Sequence, residues 1–154
     1  MIKILFVCHG NICRSPIAEF VMKDLVARFN LSDRFYIASA ATSSEELGNP
    51  VYPPARTELA RHGISCQGKR AVQLTRADYG RYDYLIGMDS ANIRNMHRML
   101  GGDPEGKIYK LLSFAGSDRD IADPWYTGNF DAAYEDILEG CQALLDQFKE
   151  EHKC

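Results

Sequence analysis

The chain has 154 residues, 45% of them hydrophobic, which is enough for one buried core and too few for two domains of ordinary size. Its 18 basic and 21 acidic residues give a net charge of -3, which argues against a protein that coats nucleic acid or an anionic membrane. We therefore expect a single domain over residues 1–154 in which any attraction for anions is local.

The first apolar run and the cysteines indicate a protein of a reducing compartment. The apolar run at residues 4–7 is too short to cross a bilayer and lacks the features of a secretory signal, so we expect a cytoplasmic protein. Five cysteines without paired spacing or C-x-x-C doublets predict reduced thiols rather than a disulfide framework or a metal site. Cys66, Cys141 and Cys154 are interpreted as incidental thiols.

The first two elements are predicted from apolar patterning. Residues 2–7 form an almost continuous apolar run rich in branched and aromatic side chains, which is typical of a strand buried on both faces. Ser15 and Pro16 are then typical of a helix N-cap and of the first helical position. Apolar residues recur at helical spacing at Ile17, Phe20, Val21, Leu25 and Phe29. The pattern predicts a helix over residues 16–29.

The remainder of the chain alternates between predicted strands and helices. Strands are predicted at residues 34–39, 83–88 and 107–112, and a long loop at residues 40–54. Helices are predicted at residues 54–62, 75–79, 90–100 and 130–149. This alternation predicts an α/β fold with a parallel sheet covered on both faces. Ligands of such sheets bind beyond the carboxyl ends of the strands, where the loop after the first strand lies.

That loop has the residues of a phosphate-binding site. Cys8 and Arg14 are separated by five residues that include Gly10 and Asn11, which tolerate left-handed backbone conformations. The N-terminus of the following helix directs free N–H groups and the positive end of its dipole at the loop. A guanidinium can bind two phosphate oxygens as a planar fork. We name residues 8–14 the phosphate loop.

The same loop holds a potential nucleophile. A cysteine beside an arginine and a helix N-terminus is favoured as thiolate, and the Ser15 hydroxyl could donate a hydrogen bond to its sulfur. Attack by Cys8 on a phosphate ester would form a phosphocysteine, with a carboxylic acid protonating the leaving group. Asp123, followed by Pro124, is the best candidate for that acid. Asp89 is an alternative acid, although its position before Ser-Ala-Asn favours a helix cap.

These motifs resemble the low-molecular-weight protein tyrosine phosphatases. The resemblance rests on VCHGNICRSPIAE at residues 7–19 and Asp123-Pro124 downstream, and it extends over essentially the whole chain through the segments at residues 39–43, 61–64, 83–84 and 88–89. It implies a flavodoxin-like three-layer sandwich with a parallel sheet of order 2-1-3-4. It also implies hydrolysis of phosphotyrosine-containing proteins without metal or cofactor, with Cys8 as nucleophile, Arg14 as transition-state clamp and Asp123 as general acid.

The resemblance also assigns supporting roles around the loop. Phosphate binding and loop support are implied for His9, Gly10, Asn11, Ile12, Cys13, Ser15 and Ser43. Asn11 would hold the loop shape with help from Ser43, and Ser15 would support the thiolate. Cys13 would form a reversible disulfide with Cys8 that prevents overoxidation.

The sequence departs from the family pattern at the rim of the site. His9 stands where relatives usually have an aliphatic residue, and Glu45 where they often have an aromatic one. Trp125 and Tyr126 keep an aromatic surface on the other side, so we expect substrate choice to depend on these four rim residues. Lys69 and the preceding Gly68 fall where relatives often carry a histidine in a supporting hydrogen-bond network.

Two other classes of protein remain open from the sequence. A thiol-dependent arsenate reductase shares this fold and a similar loop, but it would need further redox cysteines, and residues 67–140 contain none. A non-enzymatic phosphoprotein-binding module is the second alternative, and the presence of Cys8, Arg14 and Asp123 together argues for turnover. We expect a monomer, with weak self-association through Trp125 and Tyr126 as an alternative.

Overall fold

The computed structural model describes residues 1–151 of the chain. Cys154, which we interpreted as an incidental thiol, lies outside the described residues. None of the helices described within residues 1–151 has the length and apolar character needed to cross a membrane.

The centre of the fold is a parallel sheet with the strand order β2-β1-β3-β4, as predicted. Its strands are β1 (Ile2–Cys8), β2 (Phe35–Ala41), β3 (Tyr84–Gly87) and β4 (Ile108–Lys110). The α-helices of the described chain are α1 (Arg14–Arg28), α2 (Pro53–Arg61), α3 (Asp78–Arg81), α4 (Ser90–Leu100), α5 (Pro124–Thr127) and α6 (Phe130–Glu151). Short 3-10 helices lie at Ser32–Arg34 and Leu111–Ala115.

Strand β1 explains why the sheet is covered on both faces. Its side chains alternate, so that Ile4 and Phe6 join the core beneath α1 and α6. Leu5 and Val7 join a second core beneath α4. A strand that buries both faces needs a continuous apolar sequence, which is what residues 2–7 supply. The resulting architecture is the expected three-layer sandwich.

Helix α1 begins two residues earlier than predicted. It starts at Arg14 with Cys13 at the N-cap, so Pro16 is the third helical residue rather than the first. The prediction that Ser15 caps the helix is wrong. Its hydroxyl instead contacts the sulfur of Cys8 and the side-chain amide of Asn11.

Other boundaries differ by two or three residues. Strand β2 runs on to Ala41, and the short helix predicted at residues 75–79 forms at Asp78–Arg81. The Asp78 carboxylate accepts a hydrogen bond from Thr75 N–H, which forms a turn before the helix rather than its first residues. The 3-10 helix at Leu111–Ala115 shortens the fourth strand, and α5 was not predicted at all.

The carboxyl ends of the strands meet at one edge of the sheet. The phosphate loop connects the end of β1 to α1, and Asp89 follows the end of β3 as the N-cap of α4. The segment before α5 joins the same edge because Ile121 N–H donates to Met88 O at 3.0 Å. The edge therefore gathers Cys8, Arg14, Asp89 and Asp123.

Candidate active site

The phosphate loop is held by the side chain of Asn11. Asn11 is buried and adopts the left-handed conformation with a φ of 59°. Its Oδ1 accepts from Val72 N–H at 3.1 Å. Its Nδ2 donates to Ser15 Oγ at 2.8 Å and to Ser39 Oγ at 2.9 Å. Asn11 thereby ties the loop to α1, to β2 and to the segment after α2.

Ser39 takes the role that the resemblance had suggested for Ser43. Ser43 supports the loop through its backbone, since its N–H donates to His9 O at 3.0 Å. Its hydroxyl accepts a long hydrogen bond of 3.4 Å from Glu45 N–H. Ser39 could have been chosen from strand register, because it pairs with Phe6 of β1, two residues before Cys8.

Cys8, the predicted nucleophile, is buried at the end of β1. Its sulfur lies 3.0 Å from Ser15 Oγ, and Ser15 N–H donates to the sulfur at 3.4 Å. Ser15 Oγ accepts a hydrogen bond from Asn11 Nδ2, so its own hydroxyl hydrogen can be donated to the sulfur. This arrangement places one hydroxyl donor and one backbone donor on the same sulfur.

Arg14 is fixed in the first turn of α1 and is only 2% exposed. Its Nη1 donates to Asp89 Oδ2 at 2.7 Å and to Ile121 O at 2.8 Å, while Nη2 lies 3.5 Å from Asp123 Oδ2. Burial by itself would lower the pKa of Arg14, but Cys8, Asp89 and Asp123 together raise it above its ordinary value. A permanently charged, oriented guanidinium results.

Asp123 lies at the start of α5, as its N-cap. One carboxylate oxygen accepts from Trp125 N–H at 3.0 Å, and the other contacts Arg14. The carboxylate is partly exposed, at 23%. Asp89, the alternative acid, makes a full capping box with Asn92 in addition to its ion pair with Arg14. Both Asp89 oxygens therefore already accept hydrogen bonds, Oδ2 from Arg14 and Oδ1 from Asn92 N–H.

A pocket brings most of the predicted site residues together, whereas Asn11, Ser15 and Ser43 lie outside its lining. Its lining comprises Cys8, His9, Gly10, Ile12, Cys13, Arg14, Glu45, Glu46, Asp123, Trp125 and Tyr126. Glu46 is the lining residue that the sequence analysis missed, and its carboxylate accepts from Asn49 Nδ2 at 2.6 Å. A Glu-Glu pair in a long polar loop gives no signal that distinguishes it from an ordinary solvated turn.

The rim of the pocket has two unlike sides. On one side, His9 Nε2 lies 3.1 Å from Glu45 Oε2, and both side chains are exposed. On the other side, Trp125 packs against Tyr52 with ring centroids 4.7 Å apart, and Tyr126 is 83% exposed. Tyr52, which supports the rim through Trp125, was not predicted because this contact joins segments more than seventy residues apart in sequence.

Cys13 lies in the same pocket as Cys8, and both are free thiols. Burial, followed by the nearby sulfur of Cys8 and the carboxylate of Asp123, raises the pKa of Cys13 to about 12. Cys13 therefore stays a neutral thiol at physiological pH.

Lys69 continues the hydrogen-bond network behind the loop. Its ammonium donates to Ser39 O at 3.0 Å and lies 3.7 Å from Glu19 Oε1. Gly68, with a φ of 88°, adopts the left-handed turn just before it. Among residues 1–151, no cluster of three or more His, Cys, Asp or Glu side chains is arranged to hold a metal ion.

Comparison with known proteins shows the family of the chain. The family model described as low molecular weight phosphotyrosine protein phosphatase matches residues 3–154. The low molecular weight protein-tyrosine-phosphatase YfkJ of Bacillus subtilis is 40% identical over 153 residues, covering 98% of each chain. The low molecular weight phosphotyrosine protein phosphatase of Rattus norvegicus is 40% identical over 150 residues, covering 94% of each chain.

Solved structures give the same result. The crystal structure of YfkJ superposes with a TM-score of 0.94 and covers 99% of this chain and 98% of its own. That of SP-PTP, a low molecular weight protein tyrosine phosphatase from Streptococcus pyogenes, has a TM-score of 0.87 at 40% identity and covers 99% of both chains. With the family model matching nearly every residue, the chain belongs to the low molecular weight phosphotyrosine protein phosphatase family.

Proposed function

We propose that this enzyme hydrolyses phosphotyrosine in proteins, and aryl phosphate monoesters generally, through a phosphocysteine intermediate on Cys8. The observation that carries the proposal is one pocket lined by Cys8, Arg14 and Asp123, with the arginine in contact with the aspartate. These residues come from three different elements, so their meeting depends on the fold and not on proximity in sequence.

In the first step, the Cys8 thiolate attacks phosphorus and a P–S bond forms. The bond from phosphorus to the tyrosine oxygen breaks, and Asp123 gives that oxygen a proton. Ser15 supports the thiolate through the two hydrogen bonds that its hydroxyl and N–H direct at the sulfur. Ser15 thus stabilises the sulfur as attacking anion here and as leaving group in the second step.

Arg14 and the loop backbone are proposed to stabilise the negative charge of the transferring phosphoryl group. Contacts of Nη1 with Asp89 and Ile121 fix the guanidinium plane, and the remaining edge is proposed to bind two phosphate oxygens. Backbone N–H groups are proposed to complete the cradle, from His9, Gly10, Asn11, Ile12 and Cys13.

In the second step, Asp123 acts as a base. Its carboxylate takes a proton from water, the water oxygen attacks phosphorus, and the P–S bond breaks to release phosphate and the Cys8 thiolate. Asp123 is supported in both roles by its partial exposure, which lets it exchange a proton with solvent and with a bound substrate. In both proposed steps, the proton is transferred to or from a protein side chain, that of Asp123.

The pocket rim is proposed to select the aromatic ring of the substrate. Trp125 and Tyr126 offer an aromatic surface on one side, and the His9–Glu45 pair bounds the other. The phosphotyrosine ring is proposed to lie between these walls while its phosphate reaches Cys8.

The experiment that tests this function measures release of phosphate from an aryl phosphate in the presence of EDTA. A thioredoxin-coupled arsenate reduction assay is run beside it. We expect turnover of the ester and none of arsenate, because a thiol relay needs further cysteines. Arsenate turnover without ester hydrolysis would favour the reductase, and tight binding of phosphopeptide without hydrolysis would favour a binding module.

Two variants in the same assay test the assigned roles. Cys8→Ser should abolish hydrolysis, because a serine hydroxyl at this position has no thiolate to attack with; full activity would refute the mechanism. Asp123→Asn should slow esters of poorly acidic alcohols more than esters of activated phenols, which leave without a proton. An equal loss for both kinds of ester would remove Asp123 from the acid role.

A further inference from the structure

Behind the phosphate loop, a line of buried polar groups leads from Cys8 to a carboxylate that the mechanism does not use. Asn11 bridges the hydroxyls of Ser15 and Ser39. Ser39 Oγ in turn donates to Glu19 Oε1 at 2.6 Å. Glu19 lies in the second turn of α1 and is only 5% exposed. The sulfur of the nucleophile is therefore connected to a buried acid through three side chains.

The directions of these hydrogen bonds are determined by their partners. Asn11 Oδ1 accepts from Val72 N–H, so Nδ2 must face the two hydroxyls and donate to both. Ser39 gives its own hydrogen to the Glu19 carboxylate, which can only accept when ionised. A protonated Glu19 would offer Ser39 a hydrogen instead, and the Ser39 hydroxyl hydrogen would lose its carboxylate acceptor.

Glu19 has ammonium partners in Lys23 and Lys69, which matter because a buried carboxylate without a partner is strongly disfavoured. Lys23 Nζ lies 2.6 Å from Oε2, but its side chain is 45% exposed. Lys69 is 12% exposed and contacts both Glu19 and Ser39 O. Burial lowers the pKa of Lys69 below its ordinary value, with a further lowering from Lys23, while attraction to Glu19 and more weakly to Cys8 opposes the effect. The buried ammonium is the less screened of the two counter-charges.

We propose that Lys69 is a positioning residue, whose charge keeps Glu19 a hydrogen-bond acceptor for Ser39 and so leaves the Ser15 hydroxyl to donate to Cys8. The inference rests on the proposed role of Cys8 as nucleophile. Lys69 touches neither the substrate pocket nor the reacting atoms; it acts through Glu19, Ser39 and Asn11 on the donor that faces the sulfur.

The test measures how easily Cys8 forms its thiolate, without any substrate. The rate of alkylation by iodoacetamide is followed against pH, and modified Cys8 is quantified by peptide mass spectrometry. Cys13 does not interfere, because its raised pKa of about 12 keeps it a thiol over this range. The charged and titratable groups around Cys8 that stay unchanged in the variants are His9, Cys13, Arg14, Glu46, Asp89 and Asp123.

Lys69→Met should move the pH of half-maximal Cys8 alkylation upward by about one unit, because Glu19 loses its buried counter-charge. Lys69→Gln keeps a donor for the Ser39 carbonyl but no charge, and should give the same shift even if the methionine packs poorly. Lys69→Arg keeps the charge and should restore most of the original profile. Wild-type profiles in both uncharged variants would overturn the proposal.

Lys107→Met is the matched control. The side chain of Lys107 is similarly buried, with 18% of its surface exposed, and its ammonium donates to Tyr79 O at 2.8 Å and lies 3.7 Å from Glu105 Oε2. Lys107 nevertheless precedes β4 and so lies at the opposite end of the strands. Its loss should leave the alkylation profile unchanged. An equal shift in this control would mean that net charge alone moves the profile, which would also overturn the proposal.

Glu19→Gln separates action through Glu19 from a direct field on the sulfur. In that background, Lys69→Met should shift the profile by much less than it does in the wild type, because the charge that Lys69 compensates is gone. An undiminished shift would refute the route through Glu19. A wild-type Cys8 that alkylates no faster than an ordinary thiol would instead count against the proposed function itself.

Discussion

Arg14 shows how a single side chain can be oriented by the protein itself. Asp89 and the Ile121 carbonyl take the hydrogens of Nη1, and Asp123 stands near Nη2. Two of these partners lie more than a hundred residues away in sequence. The guanidinium thereby links the phosphate loop to the segment before α5, so the clamp and the proposed acid are positioned by the same contact.

Cys13 gives a prediction at the scale of one residue. We propose that peroxide converts the Cys8 thiolate to a sulfenic acid, which condenses with the Cys13 thiol to form a disulfide and water. A thiol reductant should then restore activity. Cys13→Ser lacks the condensing thiol, so peroxide should carry Cys8 on to sulfinic acid, and the reductant should recover several-fold less activity than in the wild type.

The control for this prediction is Cys66→Ser, because Cys66 is a buried thiol outside the pocket that holds Cys8. It should recover like the wild type. Equal recovery in the wild type and Cys13→Ser would show that Cys13 does not protect the nucleophile.

Single residues also mark the limit of what could be predicted from the sequence. The phosphate loop could be predicted because Cys8, Asn11 and Arg14 lie within seven residues, where local backbone geometry sets their relation. The choice of Ser43 over Ser39 shows the opposite case. Ser39 lies within β2 and Ser43 follows its end, and only the register of β2 against β1 decides which hydroxyl reaches Asn11.

At the scale of elements, α1 and α6 pack together on one face of the sheet. The predicted bounds of α6 are closer to the structure than the predicted start of α1, for a physical reason. The pattern of α6 is long and strongly amphipathic, so the observed Phe130–Glu151 lies within two residues of the predicted range. The start of α1 is set by the loop instead, since a hydroxyl that would otherwise cap the helix is used by Cys8.

Gly140 in α6 gives a prediction at this scale. Alanine normally stabilises a helix interior relative to glycine by about 0.5–1 kcal/mol. Here an added Cβ would lie 2.5 Å from Leu111 Cγ and 3.2 Å from Leu111 O, and Leu111 is fully buried. Gly140→Ala should therefore destabilise the protein by about 1–3 kcal/mol, measured as the free energy of unfolding in urea.

Gly80→Ala in α3 is the comparison. Among the described residues, no heavy atom beyond its own helix and chain neighbours lies within 4 Å of the added Cβ. This variant should be neutral or slightly stabilised. A Gly140→Ala protein as stable as the wild type would mean that Leu111 moves aside without cost.

At the scale of the whole molecule, an acidic chain concentrates anion-binding groups at one edge of its sheet. Alternating strands and helices predicted that edge, because parallel strands end together. The sequence could not predict the aromatic contacts that support the pocket rim, since Tyr52 packs against Trp125 and Phe130 from a segment distant in sequence. Rim contacts depend on the packing of α2 and α5, which no local pattern specifies.

The last prediction joins the site to the stability of the whole fold. Inorganic phosphate that binds only the folded protein should stabilise it by about 2.7 kcal/mol at a hundred times its Kd, seen as a rise in Tm of several degrees. Arg14→Lys should lose most of this rise, because an ammonium cannot replace the planar fork. Each protein is compared with itself in chloride of equal ionic strength, so any intrinsic loss of stability from the broken Asp89 pair cancels. An equal rise in both proteins would mean that phosphate binds elsewhere than at Arg14.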